Sequence, residues 1–147
     1  MIKGKFPFDI KFYTELAKDV VPMFRKHTFI DALDVKGRKF KKYSEKYGLA
    51  KRSGKLFRQA TEFSKSTAPV LSSDLLRDWK LQGTNATGFK FGTLAHGAKI
   101  NNLERLGRVI STDKEPVPKK IEKFIMSQAD KYVKKRLGKI KGGTFNI

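Results

Sequence analysis

The chain of 147 residues contains no cysteine and only two histidines, His27 and His96. That leaves no thiol for nucleophilic or redox chemistry and too few soft or imidazole ligands for a zinc site, so no metal and no cofactor is expected. Long apolar runs are missing as well. The longest uncharged stretch falls far short of the ~18 residues that cross a bilayer, and the segment before Arg25 carries charges throughout. No membrane partner is expected, and the reading is of a soluble protein made in a cytoplasm. Acidic residues are scarce, 14 against 33 lysines and arginines, giving a net charge of +19. Apolar residues still make up 39% of the chain, which excludes disorder throughout and suits one domain spanning 1–147 with a single core.

The positive charge is concentrated in two stretches. Between Lys36 and Arg58, ten basic residues stand against Glu45 alone; between Lys114 and Lys141, ten more stand against Glu115, Glu122 and Asp130. A field of this strength attracts polyanions or acidic protein surfaces. Lysines number 25 and arginines 8, and lysine lacks the fork that reads guanine, so contacts with nucleic acid would go to phosphate and not to base sequence.

Helical spacing of Ile10, Phe12, Tyr13, Leu16, Ala17, Val20, Val21, Met23 and Phe24 after Asp9 predicts a capped first helix over 9–26. Pro22 should kink or end it near Val21, because proline removes a backbone donor and clashes with the preceding turn. A second helical piece over 28–34 would complete an N-terminal helical region, 9–34. Residues 35–70 lack a long amphipathic period and read as an extended basic arm with short helical turns. From 71 to 141 the signals are a helical turn leading into a strand at 79–81, a turn carrying Asn85 and Gly88, and the alternating strand Phe89-Lys90-Phe91. A short helix closed by Gly107 and a further strand at 109–111 follow. Pro118 opens a long terminal helix whose face runs Ile121, Phe124, Ile125, Ala129, Tyr132, Val133, Leu137, Ile140, with Phe124 and Ile125 expected in the core. Residues 142–147 are a tail after the stop at Gly142-Gly143. The fold class expected is α+β: a small antiparallel sheet packed against a long C-terminal helix, with an N-terminal helix and an extended basic arm.

Catalytic patterns fail one by one. Gly48 to Lys55 has five residues between its glycines where a phosphate-binding loop needs four, and Leu56 where a magnesium-binding Ser or Thr belongs. Asp74 and Asp78 read as capping groups beside Arg77. Asp113 and Glu115 precede a helix start, where acids are favoured without any metal. His96 stands without a Ser or Cys partner identifiable by pattern. The sequence therefore predicts no enzyme.

What stands out is Gly37-Arg38-Lys39-Phe40-Lys41-Lys42-Tyr43-Ser44-Glu45-Lys46-Tyr47, which interleaves aromatics with cations. In one reading Phe40, Tyr43 and Tyr47 pack on their own domain at helical spacing; in the other they dock on a partner. The G-x-x-F-x-x-Y-S-x-x-Y arm, Leu71-Ser72-Ser73-Asp74-Leu75-Leu76-Arg77-Asp78-Trp79, the glycine-bearing hairpin, Ala95-His96-Gly97, Leu103-Glu104-Arg105-Leu106-Gly107-Arg108 and Pro116-x-Pro118 with its helix follow in order. This succession resembles the small neck and tail-completion (virion-morphogenesis, head-tail joining) proteins of tailed bacteriophages over about residues 37–137.

The resemblance implies an α+β subunit of a homo-oligomeric ring, commonly of six or twelve copies, at the junction of the DNA-filled head and the tail. Its partners would be further copies of itself, portal or adaptor proteins and tail-tube proteins, and its place the virion neck, after assembly in the host cytoplasm. Phe40, Tyr43 and Tyr47 would form the subunit or partner interface. Lys36, Arg38, Lys39, Lys41, Lys42, Lys46, Lys51, Arg52 and Lys55 would meet genomic DNA or an acidic partner. The alternative is a nonspecific nucleic-acid-binding protein, ribosome-associated or architectural, in which the aromatics stack on bases.

Overall fold

The computed structural model describes residues 8–53 and 77–141. Helix α1 (Ile10–Arg25) starts where expected: Asp9 is extended, and its Oδ1 accepts the Phe12 N–H at 2.8 Å. Phe12, Leu16, Ala17, Val20, Val21 and Phe24 form the buried face. Of the two outcomes expected at Pro22, an end near Val21 does not occur: the helix runs through the proline to Arg25. The proline is on the exposed side of the helix, as is Lys18, whose carbonyl loses its usual donor, so water can solvate what the ring removes.

The second helical piece is also not as expected. It is a π-helical turn over Lys26–Ile30, in which the Asp31 N–H reaches back to the Lys26 carbonyl at 2.8 Å. Ala32 then takes a left-handed backbone (φ 56°), and residues 33–39 double back through a Leu33–Lys39 bridge instead of continuing a helix. The reversal is held from inside. Asp34, buried, accepts the Arg38 N–H at Oδ1 and the Arg38 guanidinium at Oδ2, while buried His27 meets the Asp34 carbonyl through Nε2 at 2.8 Å. Gly37 supplies the positive φ that the turn requires (79°).

Strands β1 (Lys80–Asn85) and β2 (Gly88–Gly92) form an antiparallel hairpin paired from Asn85↔Gly88 to Lys80↔Gly92, with a bulge between Leu81 and Gly83. Asn85 Oδ1 accepts the Thr87 and Gly88 N–H groups, which closes the turn. Helix α2 (Glu45–Arg52) lies in the arm, helix α3 (Gly97–Arg105) follows the hairpin, and helix α4 (Lys119–Lys141) is the long terminal element. The end of α3 is a Schellman motif: Gly107 (φ 73°) donates to the Glu104 carbonyl and Arg108 to Leu103.

The architecture is α+β, but the sheet does not pack chiefly against the terminal helix as expected: α1 is the hub on which both the hairpin and α4 pack. Phe24 stacks on Trp79 with ring centres 5.1 Å apart and meets Phe91 edge-on at 5.2 Å, while Phe29 meets Trp79 edge-on at 5.8 Å. On α4, Ile121 is fully buried, whereas Phe124 and Ile125 are only half-buried against the core and Leu137 is exposed. The apolar face is thus deepest at its first turn, where Pro118 is also buried. Residues 109–111, expected as a strand, form none: one bond from the Val35 N–H to the Val109 carbonyl is made there, and Ile110 is buried without a ladder.

Candidate interaction surface

The arm leaves the core in three steps. Phe40 is 4% exposed and belongs to its own chain's core, tied by its N–H to the Ala32 carbonyl at 3.0 Å. The docking role expected of Phe40 therefore does not fit; a side chain sealed in its own domain is not available to a neighbour. Tyr43 is half-buried beneath Arg108, whose guanidinium carbon is 4.0 Å from the ring centre. Burial pushes the Tyr43 phenol upward, with the Arg108 charge opposing. Tyr47, 4.9 Å from Tyr43 ring to ring, is 40% exposed, and Leu49 is 55% exposed.

Arg108 is the fastening. It is 5% exposed, its Nη2 donates to the Lys41 carbonyl at 2.8 Å, and its Nε has no hydrogen-bond partner among the described residues. The root of the arm is thereby attached to the loop after α3, 67 residues away. Beyond it, α2 starts with the Gly48 N–H bonded to the Ser44 carbonyl and includes Gly48 to Arg52, the first part of the segment 48–55. None of residues 45–50 is fully buried.

The cations divide by role. Arg38 is spent on Asp34, and Lys39 Nζ donates to the Asp31 carbonyl. Lys36, Lys41, Lys42 and Lys46 are exposed and make no ion pair among the described residues. Lys51 and Arg52 lie on α2 with side chains outside what the structure describes, and Lys55 lies outside the described residues, as do Asp74 and the 142–147 tail.

A second polar cluster joins residues that the sequence reading kept apart. Asp78 Oδ2 accepts the Thr93 hydroxyl, the Ala95 N–H at 2.8 Å and His96 Nδ1 at 3.1 Å, and Thr93 Oγ1 in turn accepts the His96 N–H at 2.9 Å. The hydrogen bonds from Thr93 and the Ala95 backbone hold the Asp78 carboxyl well below the usual carboxylate range. The Thr93 hydroxyl is committed at both ends, so the cluster works as a clasp fixing the turn into α3. The signal was present: Asp78 and His96 flank a hairpin, and a hairpin brings its flanks together.

Between α1 and α4 runs a groove of about 490 Å³ floored by Phe12, Leu16 and Tyr132. Glu15 and Asp19 line one side, Lys135 and Lys139 the other. Asp9 closes one end, accepting from Tyr132 Oη and Arg136 Nη2, each at 3.2 Å. Among the described residues no three His, Asp or Glu side chains converge as metal ligands, and no helix is long and apolar enough to cross a membrane. No family model, curated protein or solved structure matches the chain.

Proposed function

We propose that this chain is a structural subunit of the neck of a tailed-phage virion, forming a ring that joins the DNA-filled head to the tail. The observation that carries the reading is the arm. Past the Arg108 fastening, α2 presents Tyr47 and Leu49 beside Lys41, Lys42 and Lys46, a mixed apolar and cationic surface that its own core leaves uncovered. A neighbouring subunit or an adjoining portal, adaptor or tail-tube ring would cover it, through contacts between unlike patches that close a ring of six or twelve copies. The α+β class, with a hairpin and a long terminal helix, agrees with what the resemblance implies, although both elements pack on α1 and not chiefly on each other. The role requires no catalytic group.

The test separates the apolar from the cationic part. Replacing Tyr47 and Leu49 together by Ala should block ring formation and head-tail joining, because buried aromatic and aliphatic anchors supply most contact energy while rim lysines contribute little. Changing Lys41, Lys42 and Lys46 to Gln should leave joining intact. Normal joining by the Tyr47/Leu49 variant overturns the arm as the contact. A second reading, nonspecific nucleic-acid binding, is favoured by the unpaired lysines, and it gains if the lysine variant alone loses function.

A further inference from the structure

Helix α4 carries an arrangement of charge that its own chain does not explain. Lys119 and Lys120 stand in its first turn, where the helix dipole disfavours cations. Lys119 and Lys123, Lys131 and Lys135, and Lys135 and Lys139 are like-charge pairs four residues apart, a spacing that destabilises a helix. Ion pairs relieve little of this: Asp130 pairs with Lys134, Asp9 with Arg136, and the other lysines from 119 to 139 have no acidic partner among the described residues. Lys120, Lys123, Ser127, Lys131 and Lys134 follow one another at three- and four-residue steps, all exposed, on a stripe centred about a third of a turn from buried Ile121. Lys131 also lines the groove that Glu15 and Asp19 face, whereas Lys120, Lys123, Ser127 and Lys134 lie outside its lining.

We infer that this outward row is a track for the phosphate backbone of nucleic acid, separate from the arm. From Lys120 to Lys134 the helix rises about 21 Å, a length over which a duplex carries about twelve phosphate charges. Evenly spaced flexible point charges on a straight rod fit a ligand whose own charge repeats along a line, and the absence of arginine from the row matches contact without base reading. Bound phosphate would convert the mutual repulsion of the row into attraction. The inference does not rest on the neck reading and gives the nucleic-acid reading a specific surface: a variant that joins heads to tails normally but no longer binds duplex would lose only this contact.

The experiment uses the full chain and a 20-base-pair duplex, with binding followed by fluorescence anisotropy across salt concentrations and melting followed with and without DNA. Lys120→Gln, Lys123→Gln and Lys131→Gln combined should flatten the dependence of log affinity on log salt by about three units and weaken binding on the order of a hundredfold at 0.1 M salt. Without DNA this variant should melt no lower than the parent, because repulsion has been removed, and the duplex should raise the parent's melting temperature but not the variant's. The matched arm variant, Lys41→Gln, Lys42→Gln and Lys46→Gln, should change the slope less. An unchanged slope in the α4 variant, a larger change in the arm variant, or equal stabilisation of the parent by polyglutamate overturns the proposal.

Discussion

Helix α1 and the arm from Arg38 to Tyr47 both repeat large apolar residues at helical spacing, yet one is sealed and the other climbs out of the core. In α1, Leu16, Ala17, Val20 and Val21 fill the gaps between Phe12 and Phe24, so the apolar stripe is wide enough to drive packing on both the hairpin and α4. In the arm, the polar residues Lys41, Lys42, Ser44, Glu45 and Lys46 occupy the intervening positions and the stripe is one residue wide. Burial falls from Phe40 through Tyr43 to Tyr47 as the anchoring contacts run out. Aromatic spacing specifies a helical phase; the residues between the aromatics decide whether that phase is buried.

Alanine substitutions along the two stretches should reproduce this gradient. Phe24→Ala, which removes a ring stacked on Trp79 at full burial, should cost about 5 kcal/mol in urea unfolding. Phe40→Ala should cost about 3 kcal/mol; a loss below about 1 kcal/mol would put Phe40 back among the docking residues. Arg108→Met should cost less than about 2 kcal/mol, because losing the Lys41 hydrogen bond is offset by removing a buried charge that has no counter-ion among the described residues. Its larger effect should be local, as faster amide hydrogen exchange over residues 41–50.

The clasp at Asp78 sharpens the contrast through pH. Its carboxyl is held below the ordinary value of 3.8, so its contribution to stability is complete above that value and disappears as pH falls through the depressed one. Asp78→Asn should therefore be less stable than the parent at pH 7, with the difference shrinking below about pH 4. A difference that stays constant down to pH 2 would mean that the carboxylate charge is not what holds the turn. The smallest effect belongs to the end of the arm. Tyr47→Ala should change unfolding free energy by less than about 0.5 kcal/mol, and a larger cost would mean that α2 packs on its own domain.

The parts of the fold legible in the sequence are those determined by neighbours in the chain: the Asp9 cap, the Asn85 turn, the Gly107 stop and the long run after Pro118. What escaped was set by distant contacts. Periodicity over 28–34 reads as helix, but the buried Asp34–Arg38 pair and the His27 bond to the Asp34 carbonyl turn the chain back. Arg108 gave no sign, since a lone arginine after a helix stop is ordinarily solvated, and here its partners lie more than sixty residues earlier. Asp78 and His96 were each examined alone, although the hairpin between them was itself readable. Of the three arm aromatics, Tyr47 is exposed, Tyr43 is shared with the Arg108 fastening, and Phe40 lies in the core after the reversal at Ala32.

The π turn after α1 bears on how the chain tolerates changes in its length. A bond spanning five residues holds one residue more than the α-helical bond spanning four, so the Lys26–Ile30 turn carries slack that the rest of α1 lacks. Removing exposed Lys18 would swing Val20, Val21 and Phe24 around the axis by about a quarter-turn and empty the core face. Removing exposed Lys26 would let the wide turn tighten into an ordinary one, with Phe24 still in place beneath Trp79. A deletion scan along the first helix should therefore find its permissive site at the helix end, beside the most deeply buried side chains of the molecule.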